Sequence, residues 1–148
     1  LYHNSKTANS RYNLRMFDMI SIYILIAGTY TPFTLILLKD NQGWLLFTII
    51  WLLAFFGIAW KVFTVGKYNL VTTSLYIFMG GLWLFFYESF VNQIPSDALW
   101  WITAGCLTYL AGVIFYLLDN KLKYNHFIWH LFVLAASGCH YISIYFYI

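Results

Sequence analysis

Apolar residues run through this 148-residue chain in continuous stretches rather than in alternation with polar ones. Five stretches, near 15–38, 43–65, 69–91, 97–118 and 126–148, each reach the ~20 helical residues that crossing a bilayer requires. Strands are not expected, because a membrane strand alternates apolar and polar positions. Polar turns separate the stretches: Lys39 to Gly43, Gly66-Lys67, Asn92 to Asp97 around Pro95, and Asp119 to Asn125. These connections are short, so successive helices should be antiparallel neighbours. The predicted fold is an all-α, polytopic transmembrane bundle forming one membrane domain over 1–148, with no room for a soluble one. Leu1-Tyr2-His3 is read as the end of a further apolar helix that begins before Leu1, which would make the chain a fragment truncated at its N-terminus.

Composition strengthens this picture. Apolar residues make up 62% of the chain and charged residues 9%, with a mean hydropathy of +0.71. A soluble domain carries about a quarter charged residues. Membrane lipids are therefore the expected partners, and nucleic acid is not. The few positive charges set an orientation. Lys6, Arg11, Arg15, Lys61, Lys67, Lys121 and Lys123 fall on one side of the five-helix layout, while Lys39 falls on the other with Asp40, Glu88 and Asp97. By the positive-inside tendency the first side is cytoplasmic and the C-terminus lies outside. Cys106 and Cys139 sit inside apolar stretches without metal or redox spacing, and packing accounts for them.

Four titratable residues then fall at one membrane depth. His126-Phe127-Ile128-Trp129-His130 opens the last stretch, and its HxxxH spacing puts two imidazoles one turn apart on one helix face. His3 and Asp18 belong to the same cytoplasmic face. Three imidazoles with an open fourth position describe a catalytic zinc site; nickel or copper would accept the same ligands. Asp18 could ligate the metal directly, or hold and deprotonate a water that the metal activates. The chemistry that follows is hydrolysis of a carbonyl compound, and the setting makes a lipid the expected substrate. Residues facing headgroups and water, or Asp18 pairing with Arg15 or Arg11, would account for the same pattern without a metal. A proton relay is the third alternative.

Other residues invite structural readings. Pro32, in Gly28-Thr29-Tyr30-Thr31-Pro32, should kink its helix, with Thr29 or Thr31 helping to satisfy freed carbonyls. Gly80-Gly81 and Gly105 to Gly112 should allow close helix approach. His140 lies ten residues beyond His130, about 15 Å deeper at 1.5 Å per residue, too far to share an ion. It is expected to be a core or outer-cavity histidine bonded to a neighbouring hydroxyl.

Leu1-Tyr2-His3, Asp18 fifteen residues after His3, Ile26 to Pro32, and the run from His126 to Gly138 together resemble the hemolysin III family. This is the bacterial branch of the progestin and adipoQ receptor superfamily, which includes the adiponectin receptors. The resemblance covers essentially the whole chain. It implies a seven-helix fold in a bacterial plasma membrane, N-terminus inside and C-terminus outside, with the five spans as helices three to seven. It also implies a cytoplasmic-face zinc held by His3, His126 and His130, with Asp18 acting through water. The superfamily's serine, four positions before the first histidine, would precede Leu1. For function the family offers three expectations: ceramidase-like, zinc-dependent hydrolysis of a lipid amide or ester; cytolysis by a pore or channel; and non-catalytic sensing of membrane fluidity or energetics. Oligomeric state and substrate are not legible.

Overall fold

A computed structural model describes residues 2–38, 41–64, 67–118 and 124–148. Its elements are α1 (Tyr2–Pro32), a π-helical turn (Phe33–Leu37), α2 (Asn41–Phe63), α3 (Asn69–Gly81), a 3-10 turn (Leu82–Phe86), α4 (Tyr87–Gln93), α5 (Ser96–Leu117) and α6 (Asn125–Tyr147). No strand occurs among the described residues. Five stretches are long and apolar enough to cross a membrane: Tyr12–Leu37, Gln42–Phe63, Asn69–Gln93, Ser96–Leu117 and Asn125–Tyr147. The molecule is the all-α membrane bundle that the hydropathy pattern predicts. Large side chains such as Phe17, Phe63, Phe85, Trp100 and Leu134 project outward. That distribution would be untenable in water and suits a lipid surroundings.

The helix carrying His3 differs from expectation. α1 runs unbroken from Tyr2 to Pro32, so Tyr2 and His3 do not close a separate helix ahead of Asp18. Between them lie Asn4 to Phe17, polar over its first half and free of glycine and proline, and nothing there interrupts helical hydrogen bonding.

Pro32 does end the regular helix, and the chain widens at once into the π-helical turn. Proline lacks the N–H that would reach the Gly28 carbonyl. The threonine hydroxyls do not replace that bond: Thr29 donates to the Leu25 carbonyl (2.8 Å) and Thr31 to that of Ala27 (2.9 Å). Thr34, inside the widened turn, donates to the carbonyls of Tyr30 and Thr31.

The third span breaks at Gly80-Gly81. A Cβ on either glycine would meet nothing within 4 Å, so their role is not the close packing expected of them. They mark where α3 gives way to the 3-10 turn. Tyr30 fixes this break from α1: its hydroxyl donates to the Gly80 carbonyl (2.9 Å) and accepts from the Trp83 N–H (3.3 Å). Gly105 and Gly112 behave as expected. A Cβ on Gly105 would lie 2.6 Å from His140 Nε2, and one on Gly112 would lie 2.7 Å from Phe132 Cβ. These two glycines let α5 and α6 form the most extensive helix pair in the bundle. Around them runs a core of Tyr23, Ala27, Leu46, Ile50, Ala54, Met79, Phe90 and Ala98, all nearly or fully buried.

Candidate metal centre

Asp18 projects from α1 toward the first turns of α6, where His126 and His130 present their rings. His126 Nε2 lies 3.5 Å from Asp18 Oδ2, His130 Nε2 lies 3.7 Å from Asp18 Oδ1, and the two Nε2 atoms are 3.0 Å apart. Two ligands about 2.0–2.1 Å from one tetrahedral ion are separated by about 3.4 Å. The three observed separations bracket that value, so Asp18 sits where a direct ligand would sit. Hydrogen bonding alone serves this arrangement poorly. A proton shared between the two Nε2 atoms leaves the carboxylate facing a nitrogen lone pair, whereas one cation satisfies all three atoms. The side chains are partly open, 21% exposed at Asp18 and about twice that at the histidines, which leaves a path for water.

The surroundings explain why these residues meet. Asn125, buried at the start of α6, donates from Nδ2 to the Leu118 carbonyl that ends α5 (2.7 Å). That bond sets where α6 begins, and hence where His126 stands. On α1, the Met19 carbonyl beside Asp18 accepts from the buried Tyr76 hydroxyl of α3 (2.6 Å). Trp129 packs against Gly112 and the Tyr116 ring, whose centroid is 5.3 Å away, and this seats the helix turn that carries His130. Sequence reasoning missed Asn125, Tyr76 and Trp129. Only Asn125, adjacent to His126 and at a helix start, offered a signal.

Lys61 also departs from expectation. The charge count treats it as a surface cation, but it is fully buried. Its ammonium donates to Asn69 Oδ1 (2.9 Å) and Thr72 Oγ1 (3.4 Å), tying the end of α2 to the start of α3. Because successive spans are antiparallel, Lys61 and Lys67 stand at the same end of the bundle as the Asp18–His126–His130 cluster.

Of the four residues expected to form the site, three converge. The His3 side chain lies outside the described part of the structure, so a third histidine ligand is not placed. His140 stands apart from the cluster, as its spacing requires. Its ring stacks on Tyr109, with centroids 5.8 Å apart, but the Tyr109 hydroxyl bonds to Ser137 (2.8 Å). Among the described residues the expected hydroxyl bond to His140 is not found, and Nδ1 is buried without a hydrogen-bond partner.

The family model for haemolysin-III-related proteins matches residues 1–141. The chain belongs to the haemolysin III family. This haemolysin III chain is 42% identical over 131 residues to "Hemolysin-3" of Bacillus cereus, covering 88% of this chain and 59% of that protein. It is 35% identical over 147 residues to the "Hemolysin-3 homolog" of Bacillus subtilis (strain 168), covering 99% of this chain and 68% of that protein. A human relative, "Monocyte to macrophage differentiation factor", is 32% identical over 137 residues, covering 90% of this chain and 55% of its own length. The chain thus spans somewhat more than half the length of the Bacillus cereus and human proteins. The human protein carries the link to the progestin and adipoQ receptor superfamily. No solved structure matches.

Proposed function

We propose that this haemolysin III chain carries the site of a zinc-dependent membrane hydrolase acting on a lipid amide or ester. The observation behind the proposal is the convergence of Asp18, His126 and His130; the bundle also holds an apolar cavity of about 380 Å³ whose wall includes Ile22, Tyr76 and Trp129, residues near these three in sequence or structure. His126 and His130, with His3 as the expected third histidine, hold the metal. When bound, zinc supplies a Lewis acid that polarises a carbonyl and brings the pKa of water to about 7. Asp18 has two carboxylate oxygens, one toward each histidine, and as a carboxylate beside the histidines it would hold a water and take its proton. Tyr76 holds the backbone of α1 beside that carboxylate, so Asp18 reaches the site preoriented. The site faces the cytoplasm and the C-terminus lies outside, an orientation supported by the charge asymmetry.

The test is metal content of the full-length protein in detergent, beside a His126→Ala/His130→Ala variant, followed by turnover of ceramides and simple acyl amides. About one zinc per chain, lost in the variant, together with turnover abolished by Asp18→Asn, is the expected result. Zinc bound without any turnover would transfer the proposal to a non-catalytic sensor using the same site. The name of the Bacillus cereus relative favours cytolysis as a second reading. Purified protein lysing intact cells equally well with and without His126 and His130 would establish it.

A further inference from the structure

The apolar cavity in the bundle has a length and a volume that can be set against each other. On three helices its wall is bounded by residues eleven apart: Ile22 to Phe33 on α1 and the turn after it, Ile102 to Val113 on α5, and Trp129 to His140 on α6. Eleven residues at 1.5 Å each give about 16 Å along the bundle. One end lies level with the candidate site, since Ile22 is one turn beyond Asp18 and Trp129 adjoins His130 in the chain. The other end is closed by Phe33 and by Phe90 of α4, both almost fully buried.

The wall sets the chemistry of the occupant. Its hydroxyls are all engaged inside the protein: Thr29 with Leu25, Tyr30 with Gly80, Tyr76 with Met19, Thr103 with Leu99 and Tyr109 with Ser137. What the wall offers is hydrocarbon. The mouth points the same way: Leu84 and Leu107 belong to the wall yet are mostly exposed on the outside of the bundle. The cavity therefore opens sideways within the spans, where a membrane presents acyl chains rather than water. Volume then fixes the number of chains. A group the size of a water molecule takes about 30 Å³, so 380 Å³ holds about a dozen methylenes. An extended chain advances about 1.2 Å per bond, as a peptide does over its three bonds per residue, so 16 Å also corresponds to about a dozen carbons. The two agree only for a single chain, because two side by side would need twice the volume.

We infer that the cavity measures the acyl chain of its lipid: it takes one plain, unbranched chain of about a dozen carbons, with Phe33 and Phe90 as the stop at the outer end. The two rings are then specificity residues. Carbons up to the stop are buried against the wall, and those beyond it gain no further wall. This inference rests on reading the site as one that faces a lipid substrate, but its readout is binding, not turnover.

The experiment uses the full-length protein in detergent and the saturated fatty acids from octanoic to octadecanoic. Each competes with a fluorescent fatty acid, and affinities are referred to measured free concentrations. Affinity should rise about fourfold per added methylene, then stop rising at about a dozen carbons. Phe90→Ala lengthens the cavity and should carry the rise onward, so that octadecanoic acid binds about tenfold more tightly than it does to the unmodified protein. Cys106→Phe, on the wall between the two ends, fills space instead of opening it and should end the rise at shorter chains. Thermal melts check that each variant is folded, and because the two shift in opposite directions, either one alone decides. A rise continuing evenly to octadecanoic acid, a break that a folded variant does not move, or binding of none of the acids would overturn the inference. If the break shifts as stated and no lipid is hydrolysed, the inference stands and the hydrolase reading fails; turnover without any break does the reverse.

Discussion

Gly112 offers a quantitative test of how the helix pair supports the proposed metal site. It faces α6 where that helix carries the site: a Cβ there would lie 2.7 Å from Phe132 Cβ and 3.1 Å from the Trp129 ring. Ordinary contact begins at 3.4 Å, so the Gly112→Ala variant must open the α5–α6 spacing by 3.4 − 2.7 = 0.7 Å at this point. Phe132 Cβ is attached directly to the backbone and cannot swing away, so α6 itself must yield. Metal–ligand distances tolerate about 0.2 Å, and His126 and His130 ride on the displaced helix while Asp18 stays on α1. Zinc affinity should fall by about 10- to 100-fold, the range for residues that support ligands. Stability responds less. Overpacking costs about 1–3 kcal/mol and alanine's helix preference returns about 1, leaving a net loss of about 0–2 kcal/mol. The control is Gly138→Ala on α6, where an added Cβ meets nothing within 4 Å. Zinc titration against a competing chelator, with thermal melts of both variants, makes the comparison. Unchanged zinc affinity in the Gly112→Ala variant, or equal losses in the two, would refute the reasoning.

Removing the Asn125 side chain with Asn125→Ala leaves the Leu118 carbonyl without its donor; a loss of about 1–3 kcal/mol in chemical denaturation and reduced zinc occupancy are expected. Asn69→Leu, which leaves the buried Lys61 ammonium without its Oδ1 acceptor, should cost about 1.5–3 kcal/mol in a denaturant titration. The double variant Lys61→Met/Asn69→Leu, which removes both partners, should recover much of that loss, because replacing both partners of a buried hydrogen bond by apolar side chains can be nearly neutral. Tyr76→Phe deletes only the hydroxyl on the Met19 carbonyl; a loss of about 1 kcal/mol and weaker zinc retention under chelator challenge are expected. Free zinc at about one hundred times its dissociation constant should stabilise the folded protein by about 2.7 kcal/mol, and the His126→Ala/His130→Ala variant should show no such gain.

What the sequence discloses about this molecule follows from which interactions are periodic. The spans are legible because lipid rewards every apolar residue alike, so hydropathy alone marks the helices. HxxxH is legible because both histidines lie on one helix, and Asp18 joins them by counting residues from the same membrane face. Contacts between helices obey no such period. Nothing in Lys61 distinguishes it from the interfacial lysines until Asn69 and Thr72 are seen around it. Gly80-Gly81 and Gly105 look alike in sequence, yet one pair breaks a helix over open space and the other glycine admits the His140 ring. In a membrane bundle the elements are written locally, and the chemistry depends on which helix is placed opposite.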